Sequence, residues 1–195
     1  MPNNPLDTDL LDRAIIFATR AHAGTERRGK GFPYIVHPLE AMEIVSTITN
    51  DQELLAAAVL HDTVEDTDTT IGQIRVEFGD RVARLVAIES VPNLDTWRER
   101  KLFGASQLAA SPIDSKIVAM GDKLSNMRAI ARDYQRVGDK VWSLFKAPNG
   151  RSDVEWYYRQ LATALADLDH TEAYQEFIRL VGQTFGPDDS AAPQC

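Results

Sequence analysis

A histidine and four acidic residues follow an apolar run in the stretch AAAVLHDTVEDTDTT, residues 56–70. The histidine is His61, and Asp62, Glu65 and Asp66 come within the next five positions. A charged group is costly to bury unless it is paired with an opposite charge or bound to a metal ion. The stretch therefore forms either a solvated acidic turn at the end of a helix or one side of a cation site.

Two further residues could complete a cation site with His61 and Asp62. His37 lies in the segment YIVHP, and Asp122 lies in AMGDKLSNM, close to the apolar stripe of an amphipathic helix. Two neutral imidazoles and two carboxylates offer mixed nitrogen and oxygen ligands, which suit Mn²⁺, Fe²⁺ or Zn²⁺ better than Ca²⁺. Such a site leaves coordination positions open for water and for oxygen atoms of a substrate.

The composition argues against several other classes of protein. The chain has 195 residues and a net charge of −8, and its one short basic run is ERRGK at 26–30, so nucleic acid is not an expected partner. The one cysteine, Cys195, excludes an internal disulfide framework and a cysteine zinc site. No apolar stretch approaches the ~20 residues that span a bilayer, and the N-terminus lacks the pattern of a secretory signal. These features predict a cytoplasmic protein that has no membrane partner.

Almost every segment of the chain carries the apolar spacing of a helix. Two short helices are predicted on either side of Gly79, and later helices include one over 113–131 and another over 136–145. Alternation of polar and apolar residues, the mark of a strand, is nearly absent. The pattern predicts an all-α protein with a single domain of about eight to ten helices over 1–186, followed by a polar tail, 187–195, that we expect to be disordered.

The order His37, His61–Asp62 and Asp122 resembles the pattern of the HD-domain metal-dependent phosphohydrolases. The flanking segments AHAGTERRGKGFPYIVHPLEAMEIV, LLAAAVLHDTVEDTDTTIGQIRVEFGDRVARLV and DKLSNMR closely resemble the hydrolase domain of the RelA/SpoT family. That family degrades the alarmones ppGpp and pppGpp by removing the 3′-pyrophosphate. In length, the chain is similar to the single-domain members, the small alarmone hydrolases, which include the metazoan SpoT homologue.

The resemblance implies a metal site and a pair of water-activating acids. One Mn²⁺ per chain would be held by four residues: His37, His61, Asp62 and Asp122. Glu65 and Asp66 would orient and deprotonate the attacking water, and a metal ion lowers the pKa of a bound water from ~15.7 towards ~7. The implied products are pyrophosphate and GDP, or pyrophosphate and GTP from pppGpp.

The resemblance also implies where a small-molecule nucleotide substrate would bind. Arg27 and Arg28, in the long loop GTERRGKGFPYIVHP, match a basic pair that lines the nucleotide pocket of the family. Further substrate contacts would come from three residues after Asp122: Lys123, Asn126 and Arg128. The chain departs from the family in having Gly121 in place of alanine, Ser125 in place of tyrosine or histidine, and AIESVPNL after RLV, which puts the substrate preference in doubt.

Other functions stay open at this point. An HD phosphohydrolase of another nucleotide, such as ppApp or the 2′-phosphate of NADPH, would use the same ligands, and a non-catalytic nucleotide sensor would need the metal alone. A nuclease is disfavoured by the net charge. His22 has no acidic partner at ligand spacing, so we expect it to be structural and to cap carbonyl groups at the end of the first helix. The oligomeric state is not predicted by any pattern in the chain.

Overall fold

The computed structural model describes residues 8–87 and 94–187, and within these ranges the chain is helical and has no β-strand. The α-helices are α1 (Asp9–Ala21), α2 (Val36–Ser46), α3 (Gln52–Leu60), α4 (Thr63–Asp66), α5 (Ile71–Phe78), α6 (Asp80–Ala87), α7 (Trp97–Ala110), α8 (Ile113–Val137), α9 (Arg151–Ala164) and α10 (Glu172–Phe185). Two 3₁₀ helices cover Gly138–Leu144 and Ala166–Leu168. The predicted all-α class is confirmed.

The chain divides into two compact units. The first unit contains Met1–Ser90 together with Ile117–Asp122, and the second contains Val91–Lys116 together with Lys123–Cys195. The single domain predicted over 1–186 stays a prediction. The predicted tail lies outside the described residues except for its first residue, as does most of the segment AIESVPNL.

Helix α3 is the centre of the first unit. Every residue from Leu54 to Leu60 is buried, and the helix packs against α1, α2 and α6. A helix that is apolar on all sides is stable only when neighbours surround it. The side chain of Asp51 caps the start of α3 by accepting a hydrogen bond from the backbone N–H of Glu53, at 2.9 Å. The end of this buried helix delivers His61 and Asp62.

Helices α2 and α8 approach each other closely at Gly121. A Cβ atom at this position would overlap the carbonyl oxygen of Ala41 and lie 2.8 Å from Cγ2 of Val45, both in α2. Glycine is unfavourable inside a helix by about 1 kcal/mol relative to alanine, so its presence here reflects packing. The close approach brings α8 to the helix that carries His37 in its first turn.

The second unit is built around α9, which packs against α7 and α10. Its core contains Tyr158, Phe177 and Phe185, whose rings lie 6.0–6.2 Å apart in two of the three pairs. Helix α8 is six residues longer than predicted. The segment 136–145, predicted as a helix, instead contains the end of α8 and a 3₁₀ helix.

Candidate metal centre

Three side chains of the first unit point potential ligand atoms at one place. His37 lies in the first turn of α2, His61 directly follows α3, and Asp122 lies in the segment of α8 that belongs to this unit. One ligand atom from each residue lies within 4.8 Å of the others, and all three residues are buried. The group can hold a metal ion.

Asp62 brings a fourth potential ligand to the same place. Its Oδ2 atom lies 2.9 Å from Nε2 of His61 and 3.4 Å from Nε2 of His37. Oδ1 of Asp122 lies 3.1 Å from Nε2 of His37 and 3.5 Å from Nε2 of His61. The structure therefore brings together all four side chains that were predicted as metal ligands. Their role as ligands stays a prediction.

The hydrogen bond of His61 Nδ1 leaves the other ring nitrogen, Nε2, directed at the carboxylates, where it can hold either a proton or a metal ion. The Nδ1 atom lies 2.8 Å from the carbonyl oxygen of Ala58, and because a carbonyl only accepts, Nδ1 carries the hydrogen. The other nitrogen, Nε2, is buried and makes no hydrogen bond. Metal-bound histidines commonly donate their second N–H to a backbone carbonyl in this way. An imidazole nitrogen without a hydrogen bond, next to two carboxylates, provides the kinds of ligand atom that divalent metal ions bind.

The electrostatics of this place favour a positive charge. Burial lowers the pKa of His61, but the charges of Asp62 and Asp122 raise it by more, so it lies well above the ordinary value. Burial raises the pKa of Asp62, but the charge of His61 and a hydrogen bond from His37 lower it by more, so it lies far below its usual range. The carboxylate of Asp62 therefore stays ionised and attracts a cation.

Tyr34 touches this group and was missed by the sequence analysis. Its hydroxyl donates a 2.7 Å hydrogen bond to Oδ2 of Asp62. Burial raises the pKa of Tyr34, and the charge of Asp62 raises it further, so the hydroxyl keeps its proton and remains a donor. The signal available in the sequence was a tyrosine one helical turn before His37, in YIVHP.

His22 differs from its expected role. It is 2% exposed, and neither ring nitrogen makes a hydrogen bond, so its side chain does not cap the end of α1. Its backbone N–H donates to Ala18 and caps the helix instead. The ring lies 4.8 Å from the ring of Tyr34. Burial lowers the pKa of His22, so the imidazole packs there as a neutral ring.

Glu65 and Asp66 differ from the four potential ligands in being exposed to solvent. Both lie in α4, the four-residue helix that starts directly after Asp62. Asp66 also lines an open cavity of about 420 Å³, together with Ala21, Thr67, Asp68, Thr69 and Gln73. Glu65 and Asp66 are therefore more open to solvent than the four potential ligands, which suits a division between holding a cation and handling a proton in water.

Of the two predicted substrate residues in the long loop, Arg27 lies beside Tyr34 and Arg28 is exposed to solvent. The guanidinium carbon of Arg27 lies 5.2 Å from the centre of the Tyr34 ring, and Arg28 is exposed. The loop is closed by backbone hydrogen bonds from Arg27 to the carbonyl of Phe32 and from Tyr34 to the carbonyl of Thr25. The first of these arginines is thereby fixed in the first unit next to the tyrosine that binds Asp62.

The other predicted substrate residues follow Asp122 along α8 and belong to the second unit. Lys123 and Asn126 are half-buried. Arg128 makes a two-pronged ion pair with Glu176, with distances of 2.8 Å and 2.7 Å, and these hydrogen bonds lower the pKa of Glu176. Substrate contact by these three residues stays a prediction.

The HD-domain family model matches residues 14–151, more than two thirds of the chain. The chain belongs to the HD-domain family. This HD domain is 38% identical over 169 residues to the guanosine-3′,5′-bis(diphosphate) 3′-pyrophosphohydrolase MESH1 of Homo sapiens, a match that covers 85% of this chain and 88% of the relative. The predicted resemblance to HD-domain hydrolases of the RelA/SpoT family is confirmed.

Two solved structures are similar to this HD domain. The structure of lmo0812 from Listeria monocytogenes EGD-e has a TM-score of 0.70 at 31% identity and covers 77% of this chain and 99% of that one. A metazoan ortholog of SpoT that hydrolyses ppGpp has a TM-score of 0.74 at 21% identity, covering 93% and 98%, and this likeness shows the fold. The chain spans 18% and 23% of the length of two longer curated relatives.

Proposed function

We propose that the chain is a metal-dependent (p)ppGpp 3′-pyrophosphohydrolase, which releases pyrophosphate and leaves GDP or GTP. The observation that carries the proposal is the convergence of the two histidines and two aspartates, with the exposed pair Glu65 and Asp66 directly after them. The name of human MESH1, similar over most of both chains, supports the same reaction.

The proposed ligands are His37, His61, Asp62 and Asp122, and the proposed cofactor is one Mn²⁺ per chain. Mixed nitrogen and carboxylate ligands suit Mn²⁺ as well as Fe²⁺ and Zn²⁺, and the family resemblance favours Mn²⁺. Nε2 of His61 makes no hydrogen bond, so it can bind a cation in place of a proton. A bound ion of this kind acts as a Lewis acid towards phosphoryl oxygens and makes a bound water acidic enough to be deprotonated near neutral pH.

Glu65 and Asp66 would serve the attacking water. One carboxylate accepts a proton from that water while the oxygen of the water forms a bond to the phosphorus attached to the 3′ oxygen. The bond between this phosphorus and the 3′ oxygen breaks, the 3′ oxygen takes a proton from solvent to become the ribose hydroxyl, and the released pyrophosphate carries the oxygen of the water. General base catalysis of this kind contributes a factor of roughly 10² to 10⁴. Because both acids are exposed, they can exchange the proton with solvent.

The substrate is a small nucleotide with several phosphates, and basic side chains would bind it on an otherwise acidic protein. We assign this role to Arg27, Arg28, Lys123, Asn126 and Arg128. A planar guanidinium can stack on a base as well as bind phosphate, and the guanidinium of Arg27 already lies 5.2 Å from the centre of an aromatic ring, that of Tyr34. Neither nucleic acid nor a membrane is a proposed partner.

The proposed location is the cytoplasm, where a chain with one cysteine meets a reducing environment. In the described ranges, no helix is both long and apolar enough to cross a membrane.

Substrate preference is tested by a panel of nucleotides. The purified protein, stripped with EDTA and reloaded with Mn²⁺, is given ppGpp, pppGpp, ppApp and NADPH in parallel, and the phosphate products are separated. We expect pyrophosphate from ppGpp and pppGpp. Faster turnover of ppApp than of ppGpp would show a preference for adenine. Phosphate released from NADPH alone would show that NADPH, and not ppGpp, is the substrate. No product from any of the four would favour the nucleotide sensor.

A further inference from the structure

Tyr34 stands at the junction between the basic loop, residues 22–35, and the proposed metal centre. Its hydroxyl donates to Asp62 at 2.7 Å, and its ring lies beside Arg27. We propose that Tyr34 is a positioning residue, which holds the carboxylate of Asp62 for the metal ion and fixes the basic loop against it. The inference rests on the proposed metal centre.

The hydrogen bond from Tyr34 fixes Oδ2 of Asp62, the carboxylate oxygen that faces both histidines. Oδ2 of Asp62 accepts the bond, and the same oxygen lies 2.9 Å from Nε2 of His61 and 3.4 Å from Nε2 of His37. A carboxylate oxygen has two lone-pair sites, so it can accept from a hydroxyl and still bind a cation. An aspartate has two side-chain torsions, and a donor fixed at one oxygen restricts both. Partners of this kind tune the affinity of metal sites.

The ring of Tyr34 is itself held on several sides, so its hydroxyl has a fixed direction. The buried ring of His22 lies 4.8 Å away and tilted by 32°, and the ring of His37 lies 6.0 Å away, edge to face. Arg27 places its guanidinium 5.2 Å from the ring centre. The ring nitrogens of His22 make no hydrogen bonds, so His22 meets Tyr34 as a packing surface.

The backbone of Tyr34 connects the loop to the first turn of α2. Its N–H donates to the carbonyl of Thr25 at 2.8 Å, and its carbonyl accepts from the N–H of His37 at 3.0 Å. One residue therefore contacts two of the proposed ligands, Asp62 through the hydroxyl and His37 through the backbone and ring. A displacement of the basic loop would move Tyr34 and, with it, the carboxylate of Asp62.

The first test removes only the hydroxyl. We would measure the affinity of the metal-stripped protein for Mn²⁺ by isothermal titration calorimetry, in the wild type and in Tyr34→Phe. Loss of a positioning partner weakens metal binding by roughly 10–100-fold. We expect that loss, together with a fall of a few degrees at most in the melting temperature of the metal-free protein, because a single hydrogen bond is removed.

A matched control is available in the second unit. The hydroxyl of Tyr174 donates a 3.0 Å hydrogen bond to the carbonyl of Ala162, so Tyr174→Phe removes one tyrosine hydrogen bond from the unit that contains none of the proposed ligands. We expect its Mn²⁺ affinity to equal that of the wild type. If Tyr34→Phe lost its native circular dichroism, Tyr34→4-fluorophenylalanine would fill the space of the hydroxyl without donating, and the same weakened affinity is expected.

The contact between the Tyr34 ring and the basic loop is tested with Tyr34→Leu at saturating Mn²⁺. This variant also removes the ring that Arg27 contacts, so we expect the KM for ppGpp to rise several-fold above that of Tyr34→Phe. Equal KM values in the two variants would overturn this second role of the ring.

The outcomes separate the two proposals. Wild-type protein that binds Mn²⁺ and a Tyr34→Phe variant that binds it equally well would overturn the positioning role alone. Wild-type protein that binds no Mn²⁺ would overturn the metal centre and the role of Tyr34 together. Weaker binding in Tyr34→Phe with unchanged binding in Tyr174→Phe would support both.

Discussion

His61 and the acids that follow it have different surroundings, and these decide what each can do. The imidazole is buried with Nδ1 bonded to a carbonyl and Nε2 directed at Asp62. Glu65 and Asp66 are exposed in α4. We therefore expect substitutions in the buried group and in the exposed group to have distinct effects on metal binding and turnover.

Replacement of His61 by alanine should abolish metal binding and turnover together, since it removes a ligand atom. Replacement of Asp66 by alanine should leave the Mn²⁺ affinity close to that of the wild type and lower kcat by a factor of roughly 10² to 10⁴, as expected for loss of a general base. The two quantities are measured by calorimetry and by pyrophosphate release. Normal turnover in Asp66→Ala would remove the assignment of that residue to the water, leaving Glu65 as the base.

The residue types and order in the sequence were enough to name the four side chains that the structure brings together. They were not enough to find Tyr34, because its role depends on a contact across 28 positions of the chain that no spacing rule predicts. His22 is a buried structural residue as expected, but the predicted capping of carbonyl groups by its ring was wrong, because the ring turns into the interior beside Tyr34.

At the scale of elements, the packing of α8 against α2 sets the distance between Asp122 and His37. Gly121 lies beside Asp122, and its backbone neighbour in α2 is Ala41, four residues after His37. Residues four apart on a helix lie one turn apart on the same face. Any widening at Gly121 would therefore separate the two proposed ligands.

Gly121→Ala should destabilise the protein even though alanine favours a helix. A Cβ would overlap the carbonyl of Ala41, and overpacking costs about 1–3 kcal/mol. We also expect weaker Mn²⁺ binding, because Asp122 would move from His37. The free energy of unfolding is measured in urea, and the metal affinity by calorimetry.

The control for this variant is Gly182→Ala in α10, where a Cβ would meet nothing within 4 Å. Helix propensity should decide the outcome there, and we expect stabilisation by up to ~1 kcal/mol. Stabilisation of both variants to the same extent would contradict the packing argument for Gly121.

The start of α3 depends on ionised Asp51. Its carboxylate caps the helix and pairs with Arg81 at 2.8 Å. Burial raises the pKa of Asp51, but hydrogen bonds from Arg81 and from the backbone of Glu53 lower it by more, so the net pKa is below the ordinary value of 3.8. A carboxyl group with a lowered pKa stabilises the fold above the unfolded-state pKa, and this contribution is lost as the pH falls through the folded-state value.

Asp51→Ala should therefore lower the free energy of unfolding by about 1 kcal/mol at pH 7, the typical loss for a helix cap. The difference from the wild type should shrink as the pH falls below 3.8. Urea unfolding of the metal-free proteins between pH 3 and pH 7 measures it. A difference that grew towards acid pH would show that the ionised form of Asp51 does not stabilise the fold.

The sequence predicted the break between α5 and α6 at Gly79 correctly but misplaced the end of α8. The predicted helix ended at Ala131, yet α8 continues to Val137. It ends at Gly138, whose φ of 59° lies in the left-handed region that glycine adopts freely. Polarity alone did not locate the end, because the outer face of a helix is polar as well.

At the scale of the whole molecule, the charge of −8 must be reconciled with a polyanionic substrate. The proposed answer is local: Arg27 and Arg28 lie in the loop joined to the proposed metal centre through Tyr34. Arg128 is shared with Glu176, which reduces the positive charge that it could offer to a phosphate. The basic loop and the cation therefore supply most of the attraction in this account.

The proposed ligands come from positions 37 to 122, so the metal centre exists only when the first unit is folded. The types and order of the residues predicted which side chains would bind the metal ion, but only the fold gives the distances between them. Substrate preference was harder to predict because the segment AIESVPNL departs from the family, and most of it lies outside the described residues.

The central claim is that one metal ion and this group of side chains release pyrophosphate from ppGpp. The most direct test titrates metal-stripped protein with Mn²⁺ and measures pyrophosphate release at each step. We expect the rate of pyrophosphate release to rise in proportion to bound metal and to reach its plateau at one Mn²⁺ per chain. Full activity in the stripped protein, or no pyrophosphate from folded protein at full occupancy, would contradict it.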